Sequence, residues 1–405
     1  MDDEKTAIRR TDRAEGNASD LTRDLARLRK PLAGESELAS ALNVLVREGD
    51  LYEKLPDNRV HCYACAHNCN IADGGRGICQ VRYNVNGTLF VPRGYVAALQ
   101  CDPIEKKPFF HVLPSSDALT FGMLGCDLHC GYCQNWDISQ ALRDPASGHL
   151  PSLVTPQQMV EIGKQQHARV FASSYNEPLI TSEWAVEIFK EATKAGFLCA
   201  YVSNGNATRE VLEYIKPYVR AYKIDLKSMR DKNYRQLGAP LEHILEGIRL
   251  VHQMGFWLEI VTLVVPGFND SVAELRDAAQ FIASLSPDIP WHVTAFHQDY
   301  KMLDKDNTTV QDLLRACEIG RDAGLHFVYA GNLPGHVGEW ENTYCPNCRA
   351  LLIRRHGYML TEYHITAQGT CPKCQHAIPG IWHQDPRAVR LGDANLWWTR
   401  RPRAV

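Results

Sequence analysis

The chain has 405 residues, 45% of them hydrophobic and 22% charged, the composition of a globular protein with room for two to three domains. Lys and Arg number 44 against 47 Asp and Glu, and the net charge of −3 argues against a general nucleic-acid binder. No apolar run approaches the ~18 residues of a membrane span, and the opening MDDEKTAIRRTDRAEG has no apolar core, so a cytoplasmic, reducing setting is expected.

In chain order, residues 1–55 read as a helical or mobile N-terminal extension. Positions 1–22 are polar and aperiodic, and 35–55 carry apolar residues at helical spacing. Residues 56–116 form a Cys-rich region with a Gly-rich loop (IADGGRGIC) and a strand-like stretch (NGTLFVPRGYVAAL). From 117 to 335, apolar strands near 118–124, 168–173, 197–203, 219–225, 256–265, 291–297 and 326–330 alternate with helices. The helices fall near 155–167, 181–195, 207–216, 240–254, 271–285 and 309–323. Apolar strands with intervening helices predict a parallel sheet covered on both faces. The class is therefore α/β, a partial or full (β/α) barrel, with a doubly wound open sheet as competitor. Residues 336–385 read as a four-Cys ribbon and 386–405 as a basic, aromatic tail.

The 14 cysteines are clustered. Cys126, Cys130 and Cys133 follow the first barrel strand, and their gaps suit three corners of an iron–sulfur cluster, leaving one iron open to a non-protein ligand. The competing assignment is zinc held by the three thiols and His129. Cys345, Cys348, Cys371 and Cys374 form paired knuckles that close a tetrahedral site, zinc before iron. Cys62, Cys65, Cys69 and Cys79 suit either zinc or a second iron–sulfur cluster, with His61 or His67 as possible replacements for a thiolate. Cys199 and Cys317 read as small buried hydrophobes, and Cys101 is the one single with a case for a site role. DPIEKKP (102–108) is a candidate substrate loop.

Cys-x3-Cys-x2-Cys in GMLGCDLHCGYCQNW resembles the signature of the radical SAM superfamily. The resemblance implies a [4Fe-4S] cluster whose open iron chelates S-adenosylmethionine, reductive cleavage to a 5′-deoxyadenosyl radical, and a one-electron reductant such as flavodoxin or ferredoxin. It implies an aromatic residue before the last Cys, here Tyr132. Asn176-Glu177-Pro178 matches the last half of a Gly-Gly-Glu-Pro-like motif, with Tyr175 and Asn176 where glycines would stand, so Glu177 is expected to grip the cofactor's ammonium. Asn204-Gly205, Asp225-Leu226-Lys227 and His297 resemble cofactor contacts of pyruvate formate-lyase activating enzymes. Asp225 would accept from ribose hydroxyls and Lys227 would meet the methionyl carboxylate. The longer runs HCYACAHNCNIADGGRGICQVRYN, DPIEKKPFFHVLPSS and GNLPGHVGEWENTYCPNC resemble the radical SAM enzyme of the AmmeMemoRadiSam system over about residues 50–380. That implies AMMECR-like and Memo-like partners.

The leading functional expectation is hydrogen abstraction from an unknown substrate. A glycyl-radical activase and an atypical cleavage with aminocarboxypropyl transfer are its variants. A zinc-binding scaffold or nucleic-acid module is the alternative of another class.

Overall fold

The computed structural model describes residues 37–147, 150–392 and 403–404. The segment 1–22 expected to be mobile, and most of the basic tail, lie outside them. The helical period predicted over 35–55 is corrected. Only Glu37–Leu42 is helical, and the chain then enters strands β1 (Val46–Glu48) and β2 (Tyr52–Lys54). With β3 (Val60–Cys62), β4 (Cys69–Ile71), β5 (Tyr83–Val85) and β6 (Thr88–Pro92) they build two three-stranded sheets, ordered β2-β3-β4 and β1-β6-β5. The boundary expected at residue 55 therefore cuts across one unit. Pairing with β6, more than forty residues on, supplies β1 with partners that a local periodicity cannot register.

Beyond this unit come β7 (Tyr95–Val96), β8 (Ala98–Pro103), β9 (Asp117–Gly122), β10 (Ser152–Leu153), β11 (Val170–Ser173), β12 (Leu198–Ser203) and β13 (Val219–Asp225). Then follow β14 (Trp257–Val264), β15 (Trp291–Ala295), β16 (Val328–Gly331), the ribbon strands β17 (Thr343–Tyr344), β18 (Leu351–His356) and β19 (Met359–Tyr363), and β20 (Arg403–Ala404). The main sheet runs β16-β15-β14-β13-β12-β11-β9-β8-β20. Seven strands are parallel, and β8 and β20 add antiparallel to one edge. Its linear order makes it the partial barrel of the two expected forms.

Strands β9, β11 and β15 are buried at every residue, as near-continuous apolar runs require when helices cover the outer face. Four of those helices start where Thr155, Thr208, Ser271 and Thr309 accept a hydrogen bond from the amide three residues on. Helix Asp231–Leu237 escaped the sequence reading because only Tyr234 and Leu237 of its seven residues are buried. Among the described residues, no helix is long and apolar enough to cross a membrane.

The ribbon is joined to the barrel through a mixed core. Phe110, Phe327 and Tyr329 pack with Leu352, Ile353, Leu360, Cys345 and Cys371. Arg355 of β18 is buried there, donating to Phe110 O at 2.9 Å and to Thr343 Oγ1 at 2.8 Å, with its guanidinium 4.2 Å from the Phe110 ring centroid. Glu259 of β14 accepts from the amides of Phe110 and His111 at 2.9 Å each and from Trp257 Nε1 at 3.0 Å. These bonds hold the segment after DPIEKKP against the sheet.

Candidate active site

The site begins with the loop after β9. Gly125 takes a φ of +90°, which a side chain disfavours, and a Cβ there would lie 2.6 Å from Val81. The chain can therefore turn sharply against the N-terminal Cys-rich unit before presenting Cys126, Cys130 and Cys133. Burial raises all three thiols, Cys130 to about 12, so as free thiolates they would be costly. The amide of Leu128 donates to Cys126 Sγ at 3.4 Å, and Ser139 Oγ lies 3.2 Å from Cys133 Sγ. Such donors favour the ionised sulfur that a metal needs.

Among the described residues, Cys345, Cys348, Cys371 and Cys374 form the one set of three or more Cys, His, Asp or Glu ligand atoms lying within 4.8 Å of one another. The triad thiols are thus more widely spread than ligands of a single ion. His129 is exposed and packs against Gly238, where a Cβ would meet its ring at 2.6 Å. Among the described residues the three thiols and His129 therefore do not stand as the single-ion set that the zinc alternative requires. His61 and His67 also turn to other partners, Glu53 at 3.0 Å and the Asp127 carbonyl at 3.2 Å.

The triad opens on a cavity of about 740 Å³, within the range of small-molecule sites. Every residue singled out for cofactor contact lines it: Tyr132, Glu177, Asn204, Asp225, Lys227 and His297. Tyr132 is buried and meets Phe268 edge-on at 5.8 Å. His297 is exposed, its Nε2 3.0 Å from Gln134 Nε2.

Glu177 Oε1 accepts from Leu179 N at 3.1 Å and Ser203 Oγ at 2.7 Å, and Oε2 from Asn204 N at 2.7 Å. Burial, with the nearby Asp127 charge, nonetheless pushes Glu177 up to about 8. Asn204 turns its Nδ2 to Asp127 Oδ1 at 2.7 Å.

Asp225 pairs with Lys223, and with Lys227 at 3.3 Å. Although burial opposes it, the two ammoniums hold Asp225 down to about 2. Asp225 and Lys227 thus meet each other at the cavity wall.

Several lining or supporting residues were not singled out in the sequence. Lys223 stands two residues before Asp225, so strand alternation alone puts both on one face. Asp127, fully buried behind the triad, takes the amides of Asn204 and Asn206 at 2.7 Å each. Its place between two cysteines was the available signal. The DPIEKKP segment does line the cavity, through Glu105, Lys106, Lys107 and Pro108. Lys107, pushed down to about 8 by burial, pairs with Asp102 at 2.5 Å. Tyr175, at a φ of +70°, donates to Asp102 at 3.0 Å. His356, Gly357, Tyr358 and Met359 close the far side from the ribbon hairpin, a contribution no local pattern announces. Cys101, Cys199 and Cys317 are buried in the core and do not line the cavity.

Cys345 Sγ–Cys374 Sγ and Cys348 Sγ–Cys371 Sγ are 3.6 and 3.7 Å. A tetrahedron with arms of ~2.3 Å has edges of ~3.8 Å, so these four thiols fit one ion.

The Radical SAM superfamily model matches residues 121–282. An uncharacterized protein of Methanocaldococcus jannaschii is 38% identical over 314 residues, 77% of this chain and 92% of its own. The pyruvate formate-lyase-activating enzyme of Staphylococcus aureus is 27% identical over 184 residues, 43% of this chain and 72% of that enzyme. Among solved structures, a domain of pyruvate-formate lyase-activating enzyme from Bacteroides vulgatus aligns at 24% identity and a TM-score of 0.36, covering 40% of this chain and 98% of the domain. Streptococcus suis SuiB bound to S-adenosylmethionine aligns at 13% identity and a TM-score of 0.40, covering 58% of this chain and 52% of SuiB.

Proposed function

The chain belongs to the radical SAM superfamily, and from that premise we propose that it abstracts hydrogen from a substrate bound in the 740 Å³ cavity. The observation that carries the reading is that the triad and all six candidate cofactor contacts line one cavity. When bound, the [4Fe-4S] cluster supplies the electron that cleaves S-adenosylmethionine and so delivers a 5′-deoxyadenosyl radical.

Cys126, Cys130 and Cys133 hold the cluster, and Leu128 N and Ser139 Oγ steady two of the sulfurs. Glu177 Oε2 accepts one hydrogen bond and retains acceptor capacity for the cofactor's ammonium. Lys227 meets its carboxylate. The Asp225 carboxylate, kept ionised by Lys223 and Lys227, accepts from the ribose. Tyr132 and Phe268 shield this end of the cavity from water. Lys106, Lys107 and the ribbon hairpin then face the substrate. The four C-terminal thiolates hold zinc, which fixes that hairpin.

We assign the chain to the AmmeMemoRadiSam branch on the runs quoted above, with AMMECR-like and Memo-like proteins as partners and a flavodoxin or ferredoxin as reductant. An activase of a glycyl-radical protein is the second reading, favoured by the Staphylococcus aureus activating enzyme among the relatives.

The test is anaerobic reconstitution with iron and sulfide, followed by low-temperature EPR of the reduced protein. A [4Fe-4S] signal that shifts on adding S-adenosylmethionine, and is absent from Cys126→Ala/Cys130→Ala/Cys133→Ala, is expected. Wild-type protein with no cofactor-dependent signal would sink the reading.

A further inference from the structure

We propose that Cys62, Cys65, Cys69 and Cys79 bind a second iron–sulfur cluster, ligated entirely by protein, which relays electrons to the triad. The ligand assignment stands by itself. Only the destination of the electron rests on the radical SAM reading.

The four residues converge. Cys62 faces Cys69 across the β3–β4 pair. Cys65 and Cys79 share a small apolar cluster with Val81 and Ile180. A Cβ on Gly77, two residues before Cys79, would lie 3.7 Å from Cys69 Sγ. Yet among the described residues no three of these sulfurs lie within 4.8 Å of one another. The C-terminal four, in the same molecule, stand at single-ion edges of 3.6 and 3.7 Å. Zinc would ask the same edges of the N-terminal four. A cubane asks for wider ones, because each thiolate binds a different iron.

The surroundings suit a buried, negatively charged cluster. Burial raises the thiols of Cys65, Cys69 and Cys79, and the neighbouring backbone amides of His67, Ile78, Val81 and Arg82 offset part of that rise. The Arg82 guanidinium is buried beside Cys62 and Cys79. Its terminal nitrogens reach Glu183 at 2.7 Å each, but its Nε is buried with no acceptor. An inorganic sulfide of a cluster at this site would give that donor its partner.

The route onward is short. A Cβ on Gly125, the residue before Cys126, would lie 3.0 Å from the Cys79 carbonyl. Arg143 bridges both loops, donating to Ile78 O at 2.5 Å and Leu128 O at 3.1 Å. Ile78, the residue before Cys79, is 44% exposed, so this end of the Cys-rich unit reaches the surface. The electron donor is a reduced flavodoxin or ferredoxin. It loses one electron, the four-thiolate cluster gains it and passes it to the cluster at the triad, and no bond or proton moves.

The experiment measures iron, sulfide, zinc and EPR on anaerobically reconstituted full-length protein. Wild type should carry about eight irons and one zinc. Cys126→Ala/Cys130→Ala/Cys133→Ala should keep about four irons, with an EPR signal indifferent to S-adenosylmethionine. Cys62→Ser/Cys69→Ser should keep about four irons, with a signal that shifts on adding it. The C-terminal zinc, at one per chain, is the folding control. Two zinc ions and no iron in the triad variant overturns the assignment, as does a wild type with about four irons. Unchanged reduction of the triad cluster by flavodoxin in Cys62→Ser/Cys69→Ser overturns the relay. Eight irons with no effect of S-adenosylmethionine would count against the radical SAM reading alone.

Discussion

Glu177 is a carboxyl with two demands on it. Three donors fix it in the fold, while burial and Asp127 push it up to about 8 from an ordinary 4.5. Between those values the native state keeps a proton that the unfolded chain has given up. Its contribution therefore lowers stability as pH rises through that window and levels off above it. Glu177→Gln removes this dependence. Thermal melts at pH 5 and pH 8 should show a larger loss in the wild type than in the variant, and equal losses would reject the assignment. The same variant should weaken S-adenosylmethionine binding in calorimetry at pH 8, where about half of the wild-type carboxyl is ionised. A motif resemblance picks Glu177 out. Its proton depends on burial first and then on the charge of Asp127, fifty residues upstream in sequence and adjacent only in the fold.

At the scale of elements, close approaches place the polar side chains. Helix Leu241–Gln253 lies against the Asn204-Gly205 turn so tightly that a Cβ on Gly247 would stand 2.0 Å from Gly205 O. Gly247→Ala is expected to cost ~1–3 kcal/mol by overpacking. It should also displace Asn204 and weaken cofactor binding, so titration calorimetry together with denaturant melts checks both effects. The N-terminal unit is joined to helix Ser182–Lys194 through the Arg82–Glu183 pair, both partners buried. Glu183→Gln removes the carboxylate that pairs with the buried Arg82 and should cost ~3–5 kcal/mol in the metal-free protein. Replacing both residues by Met should recover much of that loss in urea unfolding, and no recovery would show that the pair matters for more than charge. Asp225 and Lys227 were legible from a motif resemblance, whereas Lys223, two residues earlier on the same strand face, was not singled out. That the three neutralise one another was not legible, because it depends on burial.

For the whole molecule, the cavity is a meeting of distant segments: the triad loop, the ends of β12 and β13, the DPIEKKP loop and the ribbon hairpin. The ribbon reaches it through a knuckle whose four thiols stand at single-ion distances. Stripping the ion proposed for this knuckle with a chelator should raise hydrogen exchange in residues 351–363 and 102–108. Exchange in β9 and β11 to β13 should stay unchanged. Uniform protection after metal loss would mean that the ion does not hold the cavity's far wall. The spacing of eleven cysteines, the alternation of strands and helices and the strand-end motifs were readable in the chain, because each is a local pattern set by thiolate chemistry or backbone period. Which thiols stand close enough for one ion, which carboxyl keeps a proton and which loop closes the cavity were decided only by the tertiary structure. These depend on distances and desolvation between residues far apart in the chain, and no local period encodes either.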